Sequence, residues 1–329
     1  MPSPFISVII VAYEPRKYFW DAIESVLNQS LDKSLYEIII VTNFEIEMKN
    51  ELLKNVKSVV THNSSIGYKL SLGVKIAKGE VIAFLEDDDI WEVNKLEILH
   101  KIFSDHPKIG YYHNNFSIID DGGNEINHQI HLIARRKLMK SRSLLINAKT
   151  ADYSEIRKML NLAFDFNNSC ISMRNEIINK HVDKLRTLVT GTDSFLFYSA
   201  FTSDHFLLGD SNVLTKYRVH GANASKGGRM LLDPTLASWS VTKEILKDAN
   251  CNREAMRSID LAISTDRLES FWRVGLIERK VMLRRLRQYM NYISKEDFVY
   301  NFLTVSFSCF YLLFPRLARR FQSKIYSEW

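Results

Sequence analysis

Short, almost unbroken apolar runs alternate along the first half of the chain with stretches whose apolar residues recur every three or four positions. Phe5–Tyr13 (FISVIIVAY) and Tyr36–Thr42 (YEIIIVT) are apolar and β-branched nearly throughout, the pattern of parallel strands covered on both faces. Between them, Tyr18–Gln29 carries Phe19, Ala22, Ile23, Val26 and Leu27 at helical spacing. The pattern continues with a helix over Glu47–Asn55, a strand over Val56–Thr61 and a helix over Tyr68–Ala77. A strand over Val81–Leu85 and a helix over Trp91–Asp105, stopping before Pro107, complete it. Such alternation predicts βαβ units and a parallel sheet.

Beyond this the pattern loosens. A strand begins at Ile109 and runs towards Ile126, interrupted by a turn signal at Asp120–Asn124 (DDGGN). Residues 127 to 165 are polar and basic, without a clear period. Asn168–Met173 predicts a further strand, Ser194–Phe201 a helix with Asp193 at its N-terminus, and Val213–Tyr217 a last strand. Arg218–Gly228 (RVHGANASKGG) is a polar, glycine-rich loop, and from Pro234 onwards the pattern is helical.

Composition changes this picture only at the end of the chain. In 329 residues, 46% hydrophobic and 25% charged is ordinary for a globular protein. The net charge of +6 is concentrated from Arg273 onwards, where eleven Lys/Arg stand against four Asp/Glu; the preceding body is near neutral. Three cysteines, Cys170, Cys251 and Cys309, are widely spaced, which argues against a disulfide framework and for a reducing compartment. The N-terminal MPSPFISVIIVAY lacks a charged n-region and a cleavage site, so it is taken as a strand and not as a leader.

The chemistry is concentrated at Gly79–Trp91 (GEVIAFLEDDDIW). Glu86, Asp87, Asp88 and Asp89 follow the strand directly, and four carboxylates at one strand end repel one another. A divalent cation would compensate, and oxygen ligands of this kind suit Mg²⁺ or Mn²⁺. The alternative is an acidic turn that caps the following helix, with Asp89 as an N-cap. In parallel sheets ligands bind outside the carboxyl ends of the strands, which places Tyr13–Glu14, Thr42–Asn43 and the acidic cluster on one edge.

The order of SVIIVAYEP, AIESVLNQS, EIIIVTN, AKGEVIAFLEDDDIW, GTDSFL and YRVHGANAS resembles the large inverting glycosyltransferase family called family 2. The resemblance covers roughly Ser7 to Ser225. It implies a GT-A fold: α/β, a doubly wound, mostly parallel sheet flanked by helices, followed by a helical C-terminal region. It also implies transfer of a sugar from a nucleotide diphosphate donor to an acceptor hydroxyl, with a divalent metal stabilising the departing diphosphate. The family's Asp-x-Asp motif falls on Glu86-Asp87-Asp88, making Asp88 the metal ligand, with Glu86 departing from the usual aspartate. Asp193 matches the catalytic base, with a helix cap as the alternative role. Ala12, Tyr13, Glu14, Thr42, Asn43, Glu86, Asp87 and Arg218 are expected to hold the donor, and Lys69 to join them. His220 is expected near the diphosphate or the metal, and Ser225 with Gly227–Gly228 in a lid.

The expected domains are residues 1–228 (catalytic), 229–295 (helical) and 296–329 (membrane association). Leu276, Leu283, Leu286, Met290 and Ile293 form one helical stripe among Arg279, Lys280, Arg284, Arg285 and Arg287. Phe298–Phe314 is uncharged but shorter than the about 20 residues of a spanning helix. This predicts an interfacial segment and a peripheral protein at the cytosolic membrane face, with no nucleic-acid partner; a helix packed on the catalytic domain or in an oligomer is the alternative. By analogy with membrane-attached enzymes of the family that the chain resembles, the expected acceptor is a glycan or lipid-linked saccharide. A sugar nucleotidyltransferase and a non-catalytic scaffold on a degenerate GT-A fold remain the competing classes.

Overall fold

A computed structural model describes residues 3–14, 17–46, 56–126, 143–221, 232–274 and 279–292, and residues 305, 306, 308–310 and 312–314 near the end. The helix expected over Glu47–Asn55 and the lid around Ser225 lie outside the described residues.

Among those residues, nine strands form one sheet in the order β3-β2-β1-β4-β8-β6-β9-β5, with β7 also paired to β9. The strands are β1 (Ile6–Val11), β2 (Tyr36–Thr42), β3 (Val56–Val60), β4 (Val81–Glu86) and β5 (Ile90–Trp91). They continue with β6 (Ile109–Ile119), β7 (Leu144–Asn147), β8 (Ile171–Arg174) and β9 (Phe206–Arg218). β1, β2, β3 and β4 are mutually parallel, as the βαβ rhythm requires, whereas β8 runs antiparallel to both β4 and β6. The sheet is therefore mixed, and parallel chiefly in its first half.

Side-chain alternation divides the core into two layers. Val8, Ile10, Ala83 and Leu85 face α1 (Lys17–Leu27) and α3 (Lys95–Asp105). Ile9, Val11, Ile82 and Phe84 face the other way, towards α2 (Ile66–Ile76) and the helices that follow β8. Gly73 is required in α2 because a Cβ there would lie 2.6 Å from the Ile9 side chain.

Several local expectations shift. Ile90–Trp91 is a strand on β9, not the start of a helix; α3 begins at Lys95 with Asn94 in the N-cap position. The loosely patterned stretch contains β7 and α4 (Tyr153–Asn161), the latter opened by a reciprocal capping box between Asp152 and Glu155. The last strand starts at Phe206, well before Val213. Two short helices, α5 (Asn175–Asn179) and α6 (Val182–Leu185), precede α7 (Thr192–Ser199). The C-terminal helices are α8 (Leu232–Asp248), α9 (Arg253–Val274) and α10 (Arg279–Tyr292). Ile245, Leu246, Ala255 and Ile259 join the core beside the sheet.

The stripe expected on α10 splits. Leu286 packs inward with Met282 and Tyr289, while Leu283 and Met290 are exposed; Leu276 and Ile293 lie outside the described residues. Within Phe298–Phe314, Val305 packs near Leu261 and Tyr289, and Leu312 packs on Met282. No helix among the described residues is long and apolar enough to cross a membrane.

Candidate active site

Strand register builds the site. Val11, Val41 and Glu86 lie in one row across β2, β1 and β4, so the residues that follow each strand emerge at one edge. Tyr13 N–H donates to Asp87 Oδ2 at 3.2 Å, tying the first loop to the acidic cluster. Lys69 Nζ reaches up from α2 to the Ala12 carbonyl at 2.5 Å and lies 3.6 Å from the centre of the Tyr13 ring. Burial lowers the Lys69 ammonium to a pKa of about 8, against the opposing pull of Asp87. Glu14 is exposed at the rim. Thr42 is buried and donates to the Phe44 carbonyl at 2.5 Å, and the neighbouring Asn43 Oδ1 is buried without a hydrogen-bond partner.

The four acids have different surroundings. Glu86 Oε1 accepts from Asn168 Nδ2 at 2.7 Å. Burial, then Asp88 and Asp89, push the Glu86 carboxyl well above the usual carboxylate range; Asn168 opposes this and Asp193 adds to it. Asp89 is buried, accepting from Asn167 Nδ2 at 2.9 Å and from Arg218 N–H at 2.9 Å. Burial and Asp88 raise it to about 7. It therefore does not cap α3, whose first residue lies well downstream; it anchors the turn to β9. Asp88 Oδ2 lies 3.0 Å from His220 Nε2, and the His220 ring is tilted against Tyr18 with centroids 5.1 Å apart.

Arg218, expected on the donor, is engaged by several groups of the protein. Its buried guanidinium donates to the backbone carbonyls of Asp88 at 2.8 Å, Asp120 at 3.1 Å and Asp121 at 3.2 Å. It also pairs with Asp21 at 2.9 Å and stacks over Tyr18 at 4.5 Å. These bonds hold the acidic turn, the Asp120–Asp121 loop and α1 together.

Asp193 is the second residue of α7, after Gly191 in left-handed backbone with φ 69°. Asp193 Oδ2 accepts from Asn167 N–H at 3.1 Å, and Oδ1 from Ser194 N–H at 2.9 Å. The adjacent Thr192 Oγ1 accepts from Asn168 Nδ2 at 2.9 Å. Asn167 and Asn168 thus join the carboxylates of β4 to the start of α7. Neither was picked out from the sequence; the signal was an Asn pair ahead of a strand, and asparagine tolerates the left-handed backbone (φ 68°) that Asn167 adopts. Lys95 was also missed: buried under Trp91, it donates to the Ser169 carbonyl at 2.6 Å, and burial lowers it to about 7.

Among the described residues no group of three or more His, Cys, Asp or Glu side chains could hold a metal ion by itself. The donors present, one carboxylate and one imidazole beside a crowd of destabilised acids, fit a divalent cation whose remaining ligands come from substrate oxygens.

A mixed sheet whose parallel half carries acids at the carboxyl edge, flanked by helices and continued by a helical region, is the GT-A arrangement. S. aureus TarS 1-349 in complex with UDP-GlcNAc superposes with a TM-score of 0.62 at 12% identity, covering 98% of this chain and 90% of that one. The profile described as glycosyl transferase family 2 matches residues 7–181, more than half of the chain, and the chain belongs to that family. It is 27% identical over 229 residues to an uncharacterized glycosyltransferase of Nostoc sp., 66% of either chain. It is 32% identical over 124 residues to one of Rickettsia bellii, covering 36% of this chain and 18% of that one. Asp193, Arg218 and His220 lie beyond the matched profile, so their roles rest on geometry.

Proposed function

We propose that the chain is an inverting glycosyltransferase that moves a sugar from a nucleotide diphosphate donor to an acceptor hydroxyl. The observation that carries this reading is the link from the β4 acids through Asn167 and Asn168 to Asp193. It supports the reading because in-line displacement needs a carboxylate base close to a donor-side acidic cluster.

Asp193 takes the proton of the acceptor hydroxyl, whose oxygen forms the new bond to the anomeric carbon. The bond from that carbon to the diphosphate breaks, and its electron pair leaves with the nucleoside diphosphate. Ala12, Tyr13, Glu14, Thr42 and Asn43 hold the nucleoside, and the unpaired Asn43 Oδ1 is suited to accept a ligand N–H. Asp88 and His220 would hold Mg²⁺ or Mn²⁺, with Glu86 and Asp87 beside them. Such a cation supplies Lewis-acid stabilisation of the leaving diphosphate. UDP-GlcNAc is the first donor to test, since the TarS structure contains it.

A panel of nucleotide sugars, assayed for nucleoside diphosphate release with Mn²⁺ or Mg²⁺ and for product anomer by proton NMR, tests the reading. Retention at the anomeric carbon, or release that Asp193→Asn leaves untouched, would overturn it. A binding-only scaffold would bind nucleotide and release nothing.

The second part of the proposal is attachment to an anionic membrane surface, with a glycan or lipid-linked acceptor. It is supported by one face of α10, where exposed Leu283 and Met290 interleave with exposed Arg284 and Arg287, and by exposed Leu313 and Phe314 further along the chain. These are four of the nine exposed large hydrophobics among the described residues, so apolar exposure is concentrated where the chain is most basic. Flotation with phosphatidylcholine vesicles, with and without phosphatidylglycerol, tests it. Binding should require phosphatidylglycerol and be lost in Leu283→Glu/Met290→Glu.

A further inference from the structure

We propose that Asn167 is a positioning residue for Asp193: its side-chain amide, anchored on Asp89, fixes the backbone N–H that orients the base. This rests on the glycosyltransferase reading above for its kinetic consequence, but not for its structural one.

The geometry is specific. Asn167 stands at the mouth of the turn that leads into β8, with φ 68° and ψ 113°. That backbone turns its N–H towards Asp193 Oδ2, at 3.1 Å. The side chain is held at both ends: Nδ2 donates to Asp89 Oδ2 at 2.9 Å, and Oδ1 accepts from Ser169 N–H at 2.7 Å. Asp89 is itself fixed by Arg218 N–H. A chain of hydrogen bonds therefore runs from β9 through Asp89 and Asn167 to the base.

An N–H on Asp193 Oδ2 and another on Oδ1 fix the orientation in which the carboxylate meets an acceptor hydroxyl. If Asn167 turns, Oδ2 loses its donor and the carboxylate swings. Misplacement of a catalytic group by about 1 Å costs on the order of 100-fold in rate. The donor nucleotide, held at the ends of β1 and β2, would not feel the change. A loss in kcat with donor KM preserved is therefore the signature that separates positioning from general damage.

Asn167→Asp tests this while keeping side-chain size and tolerance of left-handed backbone. It replaces the Nδ2 donor with a second carboxylate facing Asp89. With UDP-GlcNAc as donor, kcat should fall about 10–100-fold while KM changes by no more than about twofold. Adding Asp89→Asn should recover most of the loss, because donor and acceptor have exchanged places while Oδ1 can still accept from Arg218 N–H. Asn167→Gly, which keeps the N–H and the backbone conformation, should fall in the same direction if the aspartate variant does not fold. A raised KM at constant kcat, or no recovery in the double variant, would overturn the proposal. Hydrogen exchange of the substrate-free protein gives a readout that needs no turnover. Amides of residues 191–199 should exchange faster in Asn167→Asp and return towards wild type in the double variant. Unchanged exchange overturns the role of Asn167, whereas a wild-type protein that turns over no nucleotide sugar overturns only the glycosyltransferase reading.

Discussion

Asn168 Nδ2 lies 2.7 Å from Glu86 Oε1 and donates to an acid that stands among three neighbouring carboxylates. One neutral donor cannot offset burial together with the charges of Asp88, Asp89 and Asp193. Glu86→Gln keeps the acceptor for Asn168 and removes the repulsion. The expected outcome is a melting temperature a few degrees above wild type together with at least about tenfold lower transfer, the trade-off found where function maintains strain. Calorimetry and nucleoside diphosphate release on the same preparation check it; a destabilised variant would show that the Glu86 charge is compensated in the free protein.

Asp193→Asn should lower kcat by about 10²–10⁴-fold, the usual contribution of a general base, while nucleotide affinity measured by calorimetry stays within about twofold. The amide keeps one oxygen for the two N–H groups of Asn167 and Ser194, so one of them loses its acceptor and a modest loss of stability at the start of α7 should accompany the loss of rate. A variant that loses binding as well would point to a structural role at the helix N-terminus.

Arg218 joins β9 to the turn after β4, to the Asp120–Asp121 loop and to α1. Removing it leaves carbonyls without donors and a hole the size of a guanidinium. Arg218→Met should cost roughly 2–4 kcal/mol in urea unfolding, Asp21 being too exposed to add much. Arg218→Lys should recover little of that, since a single ammonium cannot reproduce a planar fork serving several acceptors.

What could be read in the sequence follows from which forces are local. The strands β1, β2 and β4 carry their own signature, and parallel register then carries Ala12, Thr42 and Glu86 to one edge without further information. Ile90–Trp91 could not be read as a strand, because its partner is the remote Thr215–Lys216 pair of β9. Asp89 looked like a cap because acid before helix is a local pattern, but its burial depends on Asn167 and Arg218, both distant in the chain. Asn167 and Asn168 have no periodicity to reveal them; their meaning lies in long-range partners and, for Asn167, in a positive φ. The α4 helix, by contrast, was legible in Asp152-x-x-Glu155 and went unread within a polar stretch. On α10 the heptad stripe placed Leu283, Leu286 and Met290 together, whereas Met282, Leu286 and Tyr289 form the buried face.

His113 supplies a pH dependence of known sign. It is fully buried, its Nε2 lies 2.7 Å from the Phe166 carbonyl, and burial lowers it to about 4. That carbonyl only accepts, so Nε2 carries the proton of the neutral ring. Between about pH 6.5 and 4 the unfolded chain binds a proton that the folded protein refuses, so stability rises with pH across this window and is flat above it. The His113 contribution should reach on the order of 3 kcal/mol at the acid end. Comparing urea midpoints of wild type and His113→Gln at pH 7 and pH 5 isolates it from the acids of the active site, which shift in the opposite sense. The variant should be less stable at pH 7 and lose less on acidification; equal losses would show that His113 is protonated in the folded state.

The Asp88–His220 pair sets the last expectation. At 3.0 Å the carboxylate and the ring partner each other, so a cation must displace that contact, and the pair alone is a poor metal site. Diphosphate oxygens would complete the ligand set, so metal and nucleotide should bind cooperatively, with reciprocal coupling. Mn²⁺ alone should scarcely shift the melting temperature, and UDP alone should shift it modestly. Together they should exceed the sum, as binding to the folded state at about 100 times the dissociation constant adds about 2.7 kcal/mol. Asp88→Asn and His220→Ala should each abolish the Mn²⁺-dependent part and leave the UDP-only shift. If the two shifts merely add, or His220→Ala keeps the cooperative part, Asp88 and His220 do not form a shared cation site.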